Sequence, residues 1–147
     1  HDVIQELKIN KGLDIVPSVF PKALLEKKWI NEKIDIFPLG GVSNTITVFC
    51  KEGKEFSIYK SDRYGFNNPD EEWDKETIDY LLIGDSFTQG ACVNEPNTIA
   101  GNLRKLNNNK NGVLNLGYGG NSFLLEYATL REYFPSKKVK RAVGKSS

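Results

Sequence analysis

The heptapeptide GDSFTQG at residues 84–90 holds the residue of this chain best suited to covalent chemistry, Ser86, directly behind the apolar run DYLLI. A serine that leaves a buried strand at a glycine turn presents its hydroxyl where small neighbours let a substrate come close. A serine nucleophile needs that exposure, together with backbone amides and a base. Two other chemistries use loops of this kind, and the spacing speaks against both. A phosphate-cradling loop has lysine directly after its second glycine, where Ala91 stands. An aspartyl-phosphate site has a second carboxylate two residues after the first, and Phe87 takes that position after Asp85. A second glycine loop, NLGYGGNS at 115–122, has Ser122 where a dinucleotide fingerprint has its third glycine. It also lacks the acid expected about 20 residues on, where Lys138, Lys140 and Arg141 are basic. Gly120 can instead direct its N–H at a developing oxyanion beside Ser86, or simply close a tight turn. Asn121 beside it can bond a substrate or stabilise the loop.

The remaining side chains limit the chemistry. The only histidine is His1, so an imidazole base for Ser86 has no other source within the 147 residues. Cys50 and Cys92 lack the paired spacing of a zinc site, and no metal or cofactor is expected. Twenty Lys and Arg against 19 Asp and Glu leave a net charge of +1, which offers no bulk attraction for nucleic acid or an anionic membrane. The basic residues from Lys137 to Lys145 lack interleaved aromatics and read as a solvated tail. No run reaches the roughly 18 to 20 apolar residues of a membrane span, and no leader is legible at the N-terminus. With 39% hydrophobic and 27% charged residues, the composition suits a soluble globular protein with a single core.

The elements that must position these loops follow from periodicity. Ala23, Leu24, Leu25 and Trp29, with Pro21 near the start, predict a short amphipathic helix. Alternation at 45–49 and 55–59 around Gly53 predicts a hairpin. Residues 61–69, SDRYGFNNP, predict an ordered loop packed on the body, and Tyr59, Tyr64, Phe66 and Trp73 read as core aromatics rather than a sugar platform. From residue 78 onward strand and helix alternate, which predicts parallel crossovers. Strands are expected at 79–83, 113–116 and 139–143. A helix with Ile99, Ala100, Leu103 and Leu106 on one face lies between the first two, and one with Phe123, Tyr127, Leu130 and Phe134 on one face between the last two.

Together, in this order and at consecutive strand ends, GDSFTQG and NLGYGGNS resemble the first and second blocks of the SGNH (GDSL-like) hydrolases and O-acyltransferases. The stretch from SDRYGFNNP through GDSFTQG is similar to envelope-associated bacterial members, which suggests a periplasmic or cell-envelope setting. The resemblance implies a three-layer α/β fold with a parallel sheet over residues 61–147, preceded by a helix and hairpin region over 1–60. It implies Ser86 as nucleophile, the N–H groups of Ser86 and Gly120 as oxyanion donors, Asp85 as a structural acceptor for loop amides rather than the base, and esterase or carbohydrate O-acyl transfer without a metal. The substrate would be an acyl ester or an acylated carbohydrate. The family also supplies a Gly-x-Asn-Asp block after the third strand and a C-terminal Asp-x-x-His, neither of which is found here. These would lie beyond Val143, so the expectation is an incomplete domain, inactive alone, with an exposed strand edge open to self-association unless the hairpin covers it. The alternative is a carbohydrate- or protein-binding module that keeps the sheet without the chemistry. The cysteines read as two separate thiols, although export would favour a disulfide from the hairpin to the Ser86 loop.

Overall fold

The computed structural model describes residues 15–19, 37–52 and 55–144. The helix expected around Leu24, the hairpin residues Gly53 and Lys54, and His1 lie outside them. Two three-stranded sheets form a mixed α/β structure. In the first, β1 (Ile15–Pro17) runs parallel to β2 (Ile46–Glu52), which pairs antiparallel with β3 (Glu55–Lys60) as the alternation predicts. The pairing of β1 has no counterpart in the sequence reading.

The second sheet is wholly parallel and carries the candidate site. Its central strand is β4 (Thr77–Ile83), flanked by β5 (Gly112–Asn115) and β6 (Lys138–Gly144) in the order β5-β4-β6. With β5 on one side of β4 and β6 on the other, crossovers of one hand place the intervening helices on opposite faces. The packing agrees. On one face, Ala100 and Leu103 of α2 (Ile99–Leu106) meet Leu82 and Val113. On the other, Leu130 and Tyr133 of α3 (Phe123–Tyr133) join Ile78, Leu81, Leu114 and Leu116. Successive residues of β4 point to opposite faces, so a strand covered on both sides must be apolar throughout its second half, as Leu81-Leu82-Ile83 is.

Each helix keeps part of its expected face inward, Ala100 and Leu103 in α2 and Leu130 in α3, and turns the rest outward. In α2 the buried positions are Ala100, Gly101 and Arg104, while Ile99 and Leu106 are exposed. In α3, Phe123, Tyr127 and Phe134 are more than half exposed, whereas Thr129 is fully buried and Leu130 and Tyr133 pack inward. A large side chain at helical spacing marks a stripe. The neighbouring layer selects the stripe, and here Tyr133 is held by ring contacts to Phe66 and Tyr64.

The outer edge of β5 is closed by side chains rather than by another strand. Glu72 accepts from Val113 N and Arg104 donates to Val113 O, each at 2.7 Å. Asn68 accepts from Asn115 N and donates to Asn115 O. Every outward backbone group of this short strand is thereby satisfied, which removes it as a template for further pairing. Glu72 and Arg104 are nearly inaccessible themselves; Arg104 pairs with Glu95 and donates to Asn68, while its Nε lies 3.7 Å from Glu72 without a hydrogen bond. The outer edge of β6 has no such cover among the described residues, and the hairpin belongs to the other sheet.

Residues 61–68 form the ordered loop expected of them, with Ser61, Asp62, Phe66, Asn67 and Asn68 buried. Asp62 organises it: one carboxylate oxygen accepts from Tyr64 N and Phe66 N, the other from Asn68 Nδ2 and Trp73 Nε1. Tyr59 and Phe66 are core residues and Trp73 packs against the core, but Tyr64, edge-on to Trp73, is 43% exposed.

Candidate active site

β4 ends at Ile83, and Gly84 and Asp85 lead into a single helical turn, α1 (Ser86–Gln89). Asp85 caps it by accepting from Phe87 N at 2.9 Å, the structural part expected of it. The turn closes on Gly90 in the left-handed region at φ 98, with Gly90 N and Ala91 N both donating to Ser86 O. Ser86 therefore stands at the carboxyl end of the central strand with its backbone held from both sides. The first N–H groups of a helix have no intrahelical acceptor, and that of Ser86 is one of them. The turn is compact because Gly84 lets Thr88 fold back: a Cβ at Gly84 would collide with Thr88 Oγ1.

Parallel neighbours bring their carboxyl ends together, and the loop after β5 lies against the loop after β4. Leu116 N donates to Leu82 O, and Tyr118 N donates to Gly84 O at 3.1 Å. Asn115 Nδ2 donates to Thr88 O at 2.7 Å while its Oδ1 accepts from Gly117 N. A Cβ on Gly117 would sit 2.6 Å from Gln89 N, so only glycine permits this approach. Gly119 N donates to Gln89 Oε1 at 2.7 Å, and Gly120 follows at φ 80. Ser86 and Gly120 are thus carried on two loops bonded to each other at one end of the sheet. The connection leaving β4 runs to one face of the sheet and that leaving β5 to the other, and open α/β sheets bind ligands at the carboxyl ends of their strands.

Asn121 donates its backbone N–H to Tyr118 O, and its side-chain Nδ2 and Oδ1 are both shielded from solvent with no hydrogen-bond partner among the described residues. Glu126, not singled out by the sequence, lies on the inner side of α3. Burial, reinforced by the Asp85 charge, raises its carboxyl above the ordinary value. A glutamate one turn into the helix after the second loop was a recoverable signal, since that helix begins at the same sheet end. Gln89 and Tyr59 were missed as well, because their bond crosses between the two sheets.

A cavity of about 450 Å³ opens beside the first loop, lined among others by Leu82, Phe87, Thr88, Val93, Ile99 and Val143. Cys50 and Cys92 form a disulfide that ties β2 to the chain just beyond α1, so the cysteines are not two separate thiols. Ser57 Oγ donates to Val93 O and Ile58 N to Asn94 Oδ1 across the same junction. No described helix is long and apolar enough to cross a membrane. Comparison with family models, curated proteins and solved structures returns no match.

Proposed function

We propose that this chain carries the nucleophile half of an SGNH-type serine hydrolase or O-acyltransferase site, with Ser86 attacking the carbonyl of an acyl ester. The observation that carries this reading is the joining of the two glycine loops through Tyr118 N to Gly84 O at the carboxyl ends of adjacent parallel strands. The attack forms a bond from Ser86 Oγ to the carbonyl carbon, and the serine proton passes to a base. The oxyanion takes hydrogen bonds from the N–H groups of Ser86 and Gly120, where fixed backbone dipoles need no reorganisation as charge develops. Collapse expels the alcohol and leaves an acyl-serine, which water or a sugar hydroxyl then cleaves. The mainly apolar cavity beside Phe87 suits the acyl chain better than the polar leaving group.

No described residue is a histidine that could take the Ser86 proton. Added imidazole can stand in for one. The expected result with p-nitrophenyl acetate is an acetyl adduct on the Ser86 peptide by mass spectrometry, dependent on imidazole and absent from Ser86→Ala. Without imidazole, turnover should not exceed that of the alanine variant. No adduct at any imidazole concentration would refute the nucleophile assignment and favour a binding module without chemistry.

A further inference from the structure

Gln89 is fully buried at the end of α1, one turn after Ser86, yet none of its side-chain bonds serves its own loop. Its Nε2 donates to Tyr59 OH at 2.9 Å and to Ser18 Oγ at 3.3 Å, both in the first sheet region. Its Oε1 accepts from Gly119 N at 2.7 Å. A backbone N–H can only donate, so this bond leaves the amide one orientation, with Nε2 facing the two hydroxyls. The Tyr59 phenol remains a neutral hydroxyl, because burial and the nearby Tyr118 raise its pKa.

The second loop is tethered in steps. Asn115 Oδ1 holds Gly117 N and Gly84 O holds Tyr118 N. At Gly119 the tether is Gln89, and beyond it lies a Gly-Gly step, the least restrained pair a backbone can contain. A peptide rotation there would turn the Gly120 N–H away from the substrate position while leaving the fold intact.

We propose that Gln89 is a positioning residue that sets the Gly119–Gly120 backbone for oxyanion binding, with Tyr59 and Ser18 fixing its orientation. The first sheet then acquires a defined part in the site: it supplies the wall against which the donor loop is aligned. The consequence for rate rests on the serine-nucleophile reading, whereas the alignment of the loop does not.

The test uses the 147-residue chain labelled with ¹⁵N, and Gln89→Leu, Gln89→Glu and Tyr59→Phe variants. A carboxylate at position 89 keeps an acceptor for Gly119 N–H and can itself accept from both hydroxyls. The Gly119 and Gly120 amide cross-peaks should therefore move in Gln89→Leu, move less in Tyr59→Phe, and return towards wild type in Gln89→Glu. Imidazole-dependent acetylation of Ser86 should fall by about 10-fold or more in Gln89→Leu, short of the 10²–10³ expected for outright loss of a donor, and be restored in Gln89→Glu. Unmoved glycine amides together with wild-type acetylation in Gln89→Leu would overturn the proposal. If no variant and not even wild type is acetylated, the nucleophile reading fails, and the glycine amides still decide the positioning. Should Gln89→Leu not fold, Tyr59→Phe removes one oxygen and provides the same comparison: glycine amides unmoved in it would overturn the proposal.

Discussion

Replacing Asp62 by asparagine changes one atom of a buried carboxylate and should have a large effect. Its four acceptor bonds run from Tyr64 N and Phe66 N at 2.9 Å, Asn68 Nδ2 at 2.8 Å and Trp73 Nε1 at 2.7 Å. An asparagine keeps one oxygen, so in either orientation its NH₂ group faces two donors. Each stranded buried donor costs about 1–3 kcal/mol, giving a total of about 4 kcal/mol. For a chain of this length that corresponds to a fall in Tm of about 10 °C, out of a typical stability of about 5–15 kcal/mol. Asn68, released on one side, also bonds both backbone groups of Asn115, so the loss should propagate to the edge of β5. Urea unfolding followed by tryptophan fluorescence measures the change, with Asp70→Asn as the comparison. That residue meets Arg63 in a pair whose side chains are 36% and 44% exposed, and it should cost at most about 1 kcal/mol. An Asp62→Asn loss below about 1 kcal/mol would show that the carboxylate does not organise the loop, and the accounting by stranded donors would be wrong.

Reducing the Cys50–Cys92 disulfide, which closes a separation of 42 residues, should cost up to about 4 kcal/mol from the unfolded chain's recovered entropy. An unchanged urea midpoint in reductant, with thiol titration confirming reduction, would contradict this. Hydrogen bonds from Arg63 lower the carboxyls of Asp70 and Asp74, and Lys140 does the same for Asp79. Folded values below the unfolded ones mean that this stability is present above about pH 4 and lost as pH falls through the lowered values. A Tm flat down to about pH 2 would refute that linkage. The outer edge of β6 carries Lys138, Lys140 and Arg141, so pairing with a second copy opposes like charges. Light scattering should show association that grows with concentration and strengthens with salt as repulsion is screened, and a monomer under all conditions would exclude the edge as a contact.

The sequence alone determined the parallel strands and the loops at their ends. An apolar run stopped by glycine, as at Ile83-Gly84, is a local signal, and two such runs joined by a helix must place both loops at one end of a parallel sheet. Residues 61–69 were likewise legible as a packed loop from their own turn formers. Tertiary structure decided the rest. Helical spacing showed that α3 has an apolar stripe but not which stripe faces inward, and the sheet selected Thr129, Leu130 and Tyr133 over Phe123 and Tyr127. The disulfide, the parallel pairing of β1 and the bonds closing β5 join residues with no local relation. Gln89 reaches Tyr59 across 30 positions and Ser18 across 71, while Asn68 reaches Asn115 across 47. Periodicity records which side of an element is apolar, but a buried polar group takes whichever partner the assembled layers bring within about 3 Å, and that distance exists only once the chain has folded.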